Sequence, residues 1–152
     1  MIRRSFRNTV ISLILLFCFG ISATPAYASW EQGINMITSV GGEFNSNQNF
    51  NTPEEFTSEV IRLVNDQRAS EGLPEFNRLD TLVKPASIRA QESSVLFTHK
   101  RPDGRSCSTV YSDCGLTYKA AGENLAYGFL TPSDFVNAWM NSKSHCENIL
   151  SS

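Results

Sequence analysis

The chain has 152 residues, 41% hydrophobic and 18% charged, with a formal net charge of −2. This length suits one domain plus a targeting segment, and the composition is that of an ordinary globular protein. Three of the thirteen basic residues, Arg3, Arg4 and Arg7, lie at the very start; without them ten bases face fifteen acids, and no basic patch remains of the kind that nucleic acid binding requires.

Residues 1–28 read as a secretory signal peptide: a basic start, an apolar run from Val10 to Ile21, and the small-x-small pattern Ala26-Tyr27-Ala28. The run is shorter than the roughly 20 residues of a comfortable bilayer span. The alternative reading is an uncleaved membrane anchor. Cleavage after Ala28 is expected, giving a secreted, extracellular protein with no stable membrane span. Export permits disulfides, and Cys107, Cys114 and Cys146 remain. Their odd number leaves at least one thiol without an intramolecular partner.

Residues 29–51 are rich in Gly, Asn, Ser and Gln without a sustained period, and read as a flexible leader or linker. The domain is expected over 52–152. It opens on Thr52-Pro53-Glu54-Glu55: an N-capping residue, a proline suited to the first helical position, and acids at the positive end of the helix dipole. Phe56, Val60, Leu63 and Val64 then recur at helical spacing, and Gly72 and Pro74 end the helix.

A second helix is predicted from about Leu82 to Phe97, with Pro85 forcing a late start or a distorted first turn. Pro102-Asp103-Gly104 marks a turn. Cys107, Val110, Tyr111 and Cys114 fall at i, i+3, i+4 and i+7, which predicts a short amphipathic helix over 106–114. Such a helix would separate its two cysteines by roughly 10 Å along its axis, beyond the about 7 Å that a disulfide tolerates. Asn124 to Leu130 has strand character. Thr131-Pro132-Ser133-Asp134 starts another helix that buries Phe135, Ala138 and Trp139, and Cys146 to Leu150 supplies a last helical turn.

The chemistry centres on Gly122-Glu123-Asn124-Leu125-Ala126-Tyr127-Gly128, one carboxylate between two glycines, with the only two histidines on either side at His99 and His145. Two imidazoles and a carboxylate brought together would suit a divalent metal or proton transfer. Each residue also has a plainer reading. The histidines could be polar residues near helix ends, Glu123 a buried carboxylate tying a loop together, Asn124 a support for the backbone, and Trp139 a core anchor. A Cys–His nucleophile using Cys107, Cys114 or Cys146 is disfavoured. Cys146 directly follows His145, and sequence neighbours rarely face each other, while Cys107 and Cys114 read as apolar helix-face residues.

Five blocks in order resemble the CAP superfamily of cysteine-rich secretory proteins, antigen 5 and plant pathogenesis-related proteins, in its secreted bacterial form. They are Leu63-Val64-Asn65-Asp66-Gln67-Arg68 with Gly72-Leu73-Pro74; Ile88-Arg89-Ala90; Phe97-Thr98-His99 with Arg101-Pro102-Asp103-Gly104; Ala121-Gly122-Glu123-Asn124; and Ala138-Trp139-Met140-Asn141-Ser142 with His145 and Asn148-Ile149-Leu150. The resemblance implies an α+β fold, a three-layer α-β-α sandwich whose cleft is lined by two histidines and two acids. His99, Glu123 and His145 match three of those four, and would be the ligands if Zn²⁺ or another divalent cation binds. Ser142 stands at the second acid's position, and Ser144 replaces the usual glycine before the second histidine. The family's last C-terminal strands have no counterpart before Ser152, which implies an incomplete sheet and low stability for the domain.

The function so implied is a non-catalytic extracellular binding module. Its His/Glu cleft, with Asn124 and Ser142 around it, would take a divalent metal and a lipid or other small ligand, or an extracellular protein. The competing expectations are a metal-dependent peptidase or esterase with Glu123 as base, and a truncated, non-functional copy.

Overall fold

The computed structural model describes residues 10–19, 32–41, 52–129 and 131–152. Two segments expected outside the domain form strands: β1, Val10–Phe19, from the leader, and β2, Gln32–Gly41, from the linker. Helix α1 spans Pro53–Ser70 and is followed by the two-residue strand β3, Asn77–Arg78. After a 3₁₀ turn at Asp80–Leu82 come α2, Val83–Val95, and α3, Thr109–Asp113. The chain continues through β4, Ala120–Tyr127, α4, Pro132–Met140, and α5, Lys143–Ile149. Helices and strands thus make an α+β fold. Among the described residues no helix is long and apolar enough to cross a membrane.

The sheet runs β3-β2-β1-β4. β1 lies antiparallel to both neighbours, with Leu16 opposite Glu123 and Ser12 opposite Tyr127, while β3 joins β2 in parallel. The backbone groups of β4 need a strand beside them, and the β-prone run Val-Ile-Ser-Leu-Ile-Leu-Leu-Phe-Cys-Phe supplies it. This pairing also draws Ala120, Ala121, Gly122 and Glu123 into β4, four residues ahead of the start expected at Asn124.

The helix signals work locally as their chemistry requires. The hydroxyl oxygen of Thr52 accepts a bond from the Glu55 amide at 3.1 Å, and that of Thr131 accepts one from the Asp134 amide at 3.1 Å. Pro85 sits at the third position of α2, where a backbone N–H would have no partner within the helix, so its absence costs little. At the end of α1 Gly72 takes a φ of 69°, a left-handed conformation that glycine adopts without strain. Helix α3 is shorter than expected, because Ser106 to Ser108 close turns with their own backbone and leave Cys107 ahead of the helix.

Two apolar clusters form. One joins Phe56, Val60 and Val64 of α1 to Phe135, Val136 and Trp139 of α4, Ile149 of α5, and Ala126 of β4. The other joins Leu82, Ala86 and Ala90 to Val110, Tyr111 and Leu125. Leu125 and Ala126 are adjacent on β4, and successive strand residues face opposite sides. Each large side chain buried this way contributes about 1.5–3 kcal/mol. Two polar contacts fix the clusters' edges. The Trp139 indole donates to the Leu125 carbonyl at 3.2 Å. Buried Arg68 lies over the Phe76 ring and donates to the carbonyls of Pro74, Ile149 and Ser151, tying α1 to the end of α5.

Candidate functional site

The site gathers on the same face of β4 as Leu125, two residues along from it. Glu123 is 6% exposed, and its carboxylate is held from two directions. Arg89, from α2, reaches it with Nε at 2.8 Å and Nη2 at 3.1 Å, one nitrogen on each oxygen. His99 places Nδ1 3.0 Å from Oε1. Arg89 is itself fully buried and also donates to Glu92 and to the Thr98 carbonyl. Glu92 in turn accepts from Arg101, which pairs with Asp113, which pairs with Arg105. A row of alternating charges therefore runs from the buried carboxylate to the surface.

The segment between His99 and Cys107 folds back on itself. Lys100 and Ser106 form an antiparallel bridge, and the Cys107 amide donates to the His99 carbonyl at 3.0 Å. The turn at Pro102-Asp103-Gly104 thus sets residues 99 and 107 side by side. Donor atoms of His99, Cys107 and Glu123 all lie within 4.8 Å of one another.

His145, on α5, faces this group from another element. Its ring centroid is 6.3 Å from that of His99, and its carbonyl accepts from the Asn124 amide nitrogen at 3.1 Å. Asn124 is wholly buried, and its oxygen accepts from Asn148 at 2.9 Å, so Asn124 braces β4 against α5. Gly122 permits that approach, since a Cβ there would stand 3.1 Å from the Asn148 side chain. Ser142 is the half-buried residue just ahead of α5.

Charge separates the two imidazoles. Hydrogen bonds to Cys107 and then to Glu123 raise the His99 ring to a pKa of about 9 against the opposing effect of burial. Burial, followed by repulsion from His99, pushes His145 below the ordinary histidine value. Burial alone would raise Glu123, but the bonds from His99 and Arg89 outweigh it and hold the carboxyl low. Near neutrality the site therefore holds a carboxylate between an imidazolium and a guanidinium, with a neutral imidazole opposite.

A soft cation could in principle use a thiolate, an imidazole and a carboxylate together, and His99, Cys107 and Glu123 are such a trio. The expected set His99, Glu123 and His145 is not the group that stands within that distance. The charge arrangement suits a cation poorly. Both oxygens of Glu123 already accept bonds from Arg89, so a cation would have to share or displace them. Sequence reading weighed Cys107 as a partner of a histidine and set it aside. Helical spacing assigned it to an apolar face; the pairing of positions around the turn would have placed it beside His99.

Next to His99 the surface turns apolar. Val95, Leu96, Phe97 and Tyr127 are exposed, the last two at 46% and 53%, and the rings of Phe97 and Tyr127 meet edge to face at 4.7 Å.

Comparison with known proteins decides the family. A model of CAP, the cysteine-rich secretory protein family, matches residues 61–152. The chain belongs to the CAP family. This span holds Arg89, His99, Cys107, Glu123 and His145, so the whole site lies within the CAP domain. One relative is the uncharacterized protein YkwD of Bacillus subtilis, 37% identical over 97 residues, which are 62% of this chain and 38% of YkwD. The chain thus matches well under half the length of that relative. No solved structure is a significant match.

Proposed function

We propose that this CAP domain is an extracellular binding module whose cleft takes a small amphiphile, a lipid or a molecule of similar build. The observation that carries this is the exposed Phe97–Tyr127 pair two residues from His99. An apolar chain laid on those rings would remove them from water, at about 25 cal/mol per Å² buried. The imidazolium of His99 and the neutral ring of His145 would meet a polar or anionic head group. Buried Glu123 and Arg89 hold the His99 side of this arrangement in place, and binding on these terms requires no metal.

Clusters on either side of Leu125 and Ala126 support the family's three-layer α-β-α sandwich as the scaffold, and the signal-like residues 1–28 support export. The test is titration of a long-chain fatty acid into the purified chain by calorimetry. Saturable binding that Phe97→Ser and Tyr127→Ser each weaken, with circular dichroism unchanged, is the expected result. Equal affinity in all three proteins removes the cleft from the proposal.

A further inference from the structure

We propose that Cys107 and His99 form a nucleophilic thiol site that accepts acyl groups from esters, with Glu123 positioning the imidazole. The grouping follows the general pattern of an activated nucleophile: a thiol within reach of a base, and the base oriented by a third group. Donor atoms of the three residues lie within 4.8 Å of one another, and Glu123 holds His99 Nδ1 at 3.0 Å. Glu123 cannot swing away, because Arg89 bonds both its oxygens and is itself fully buried. Cys107 is fixed by its backbone bond to His99 and by the bridge beside it.

The pair is also open to a reagent. Cys107 is half-buried, and the His99 side chain is 55% exposed. Neither Cys114 nor Cys146 belongs to such a group, although both are equally half-buried. When the ring is deprotonated, the hydrogen bond between Cys107 and His99 gives the thiol proton a path to it.

The chemistry is complete with water as the second reactant. As the thiol proton passes to His99, Sγ of Cys107 forms a bond to the ester carbonyl carbon, the carbon–oxygen bond to the alcohol breaks, and the departing oxygen takes that proton from His99. Water then attacks the thioester, giving its proton to His99 and releasing a carboxylic acid. Sγ of Cys107 leaves and takes a proton back from His99, restoring the thiol. Only the preference for an apolar acyl chain rests on the binding function proposed above, through Phe97 and Tyr127.

The full chain, reduced and purified, is mixed with p-nitrophenyl acetate or p-nitrophenyl octanoate. Nitrophenolate release is followed, and the acylated residue is located by peptide mass spectrometry. Expected is one acyl group on Cys107 ahead of Cys18, Cys114 and Cys146. Cys107→Ser should remove it, and His99→Gln should slow it about 100-fold, the lower end for a lost general base. Glu123→Gln should lower kcat with KM unchanged, which loss of a purely structural contact would not single out. Should Cys107→Ser fail to fold, alkylating the wild-type thiol with iodoacetamide and mapping the label gives the same information. Equal labelling of the chain's four cysteines, or labelling indifferent to His99→Gln, overturns the proposal. Acylation of Cys107 that is no faster with octanoate than with acetate keeps the thiol site and removes the amphiphile cleft.

Discussion

The buried guanidinium of Arg89 spans both carboxylate oxygens of Glu123, at 2.8 and 3.1 Å. This one contact joins α2 to β4 and holds the carboxylate that His99 meets. Removing one partner would leave the other charged and enclosed, which typically costs 3–5 kcal/mol. Arg89→Met is therefore expected to lower stability by about that amount, and Arg89→Met with Glu123→Leu to recover a large part of it. Urea unfolding of the three proteins checks this; a single variant within about 1 kcal/mol of wild type would show the pair to be dispensable.

The two histidines should titrate far apart. His99 is raised to about 9 and His145 lowered. For His99 the folded value exceeds the unfolded one. Its contribution to stability is thus complete below about 6.5 and disappears as pH rises through about 9. Glu123 has the opposite sign: its folded value is depressed, so its contribution is present above the ordinary carboxyl range and is lost as pH falls through the folded value. Ring proton shifts in NMR would give both histidine values. Two curves that coincide near 6.5 would mean that neither Cys107 nor Glu123 engages His99.

Zinc is expected to bind weakly at neutral pH, because His99 must lose its proton and Glu123 must leave Arg89. Calorimetric titration with Zn²⁺ should give similar small heats for wild type and His99→Ala. A saturable transition present in wild type alone would show that the donors rearrange around a cation.

Gly122→Ala places a methyl group 3.1 Å from the Asn148 amide, which is held by Asn124. The amide must shift and strain that bond, at about 1–2 kcal/mol for a partly unsatisfied buried polar group. Melting temperature and the Asn124 side-chain amide signals would report the change. An unaltered melting point would mean that Asn148 gives way freely.

Much of the helical framework was legible because its signals are local. Thr52-Pro53 and Thr131-Pro132 carry their own capping chemistry, and Phe56, Val60 and Val64 their own period. The motif Gly122-Glu123-Asn124 and the His99 block marked two residues that the fold brings together, Glu123 and His99. What sequence alone did not give was long-range pairing. The placement of Cys107 depends on a turn closing eight residues apart, and helical spacing competed with that reading. The role of Arg89 depends on α2 facing β4, which no periodicity of α2 announces. The strands at 10–19 and 32–41 depend on pairing with partners far along the chain, 10–19 with β4 and 32–41 with 10–19, which composition does not announce.

That last strand pairing has a consequence for biogenesis. Export would have a peptidase remove the ten residues that lie between β2 and β4, so secretion and this sheet make opposite claims on one segment. A chain begun at Ser29 should melt well below the full-length protein unless a strand from elsewhere fills the gap. Sequencing the amino terminus of the exported protein would decide which claim prevails, and whether Glu123 works beside its original neighbour or beside a replacement.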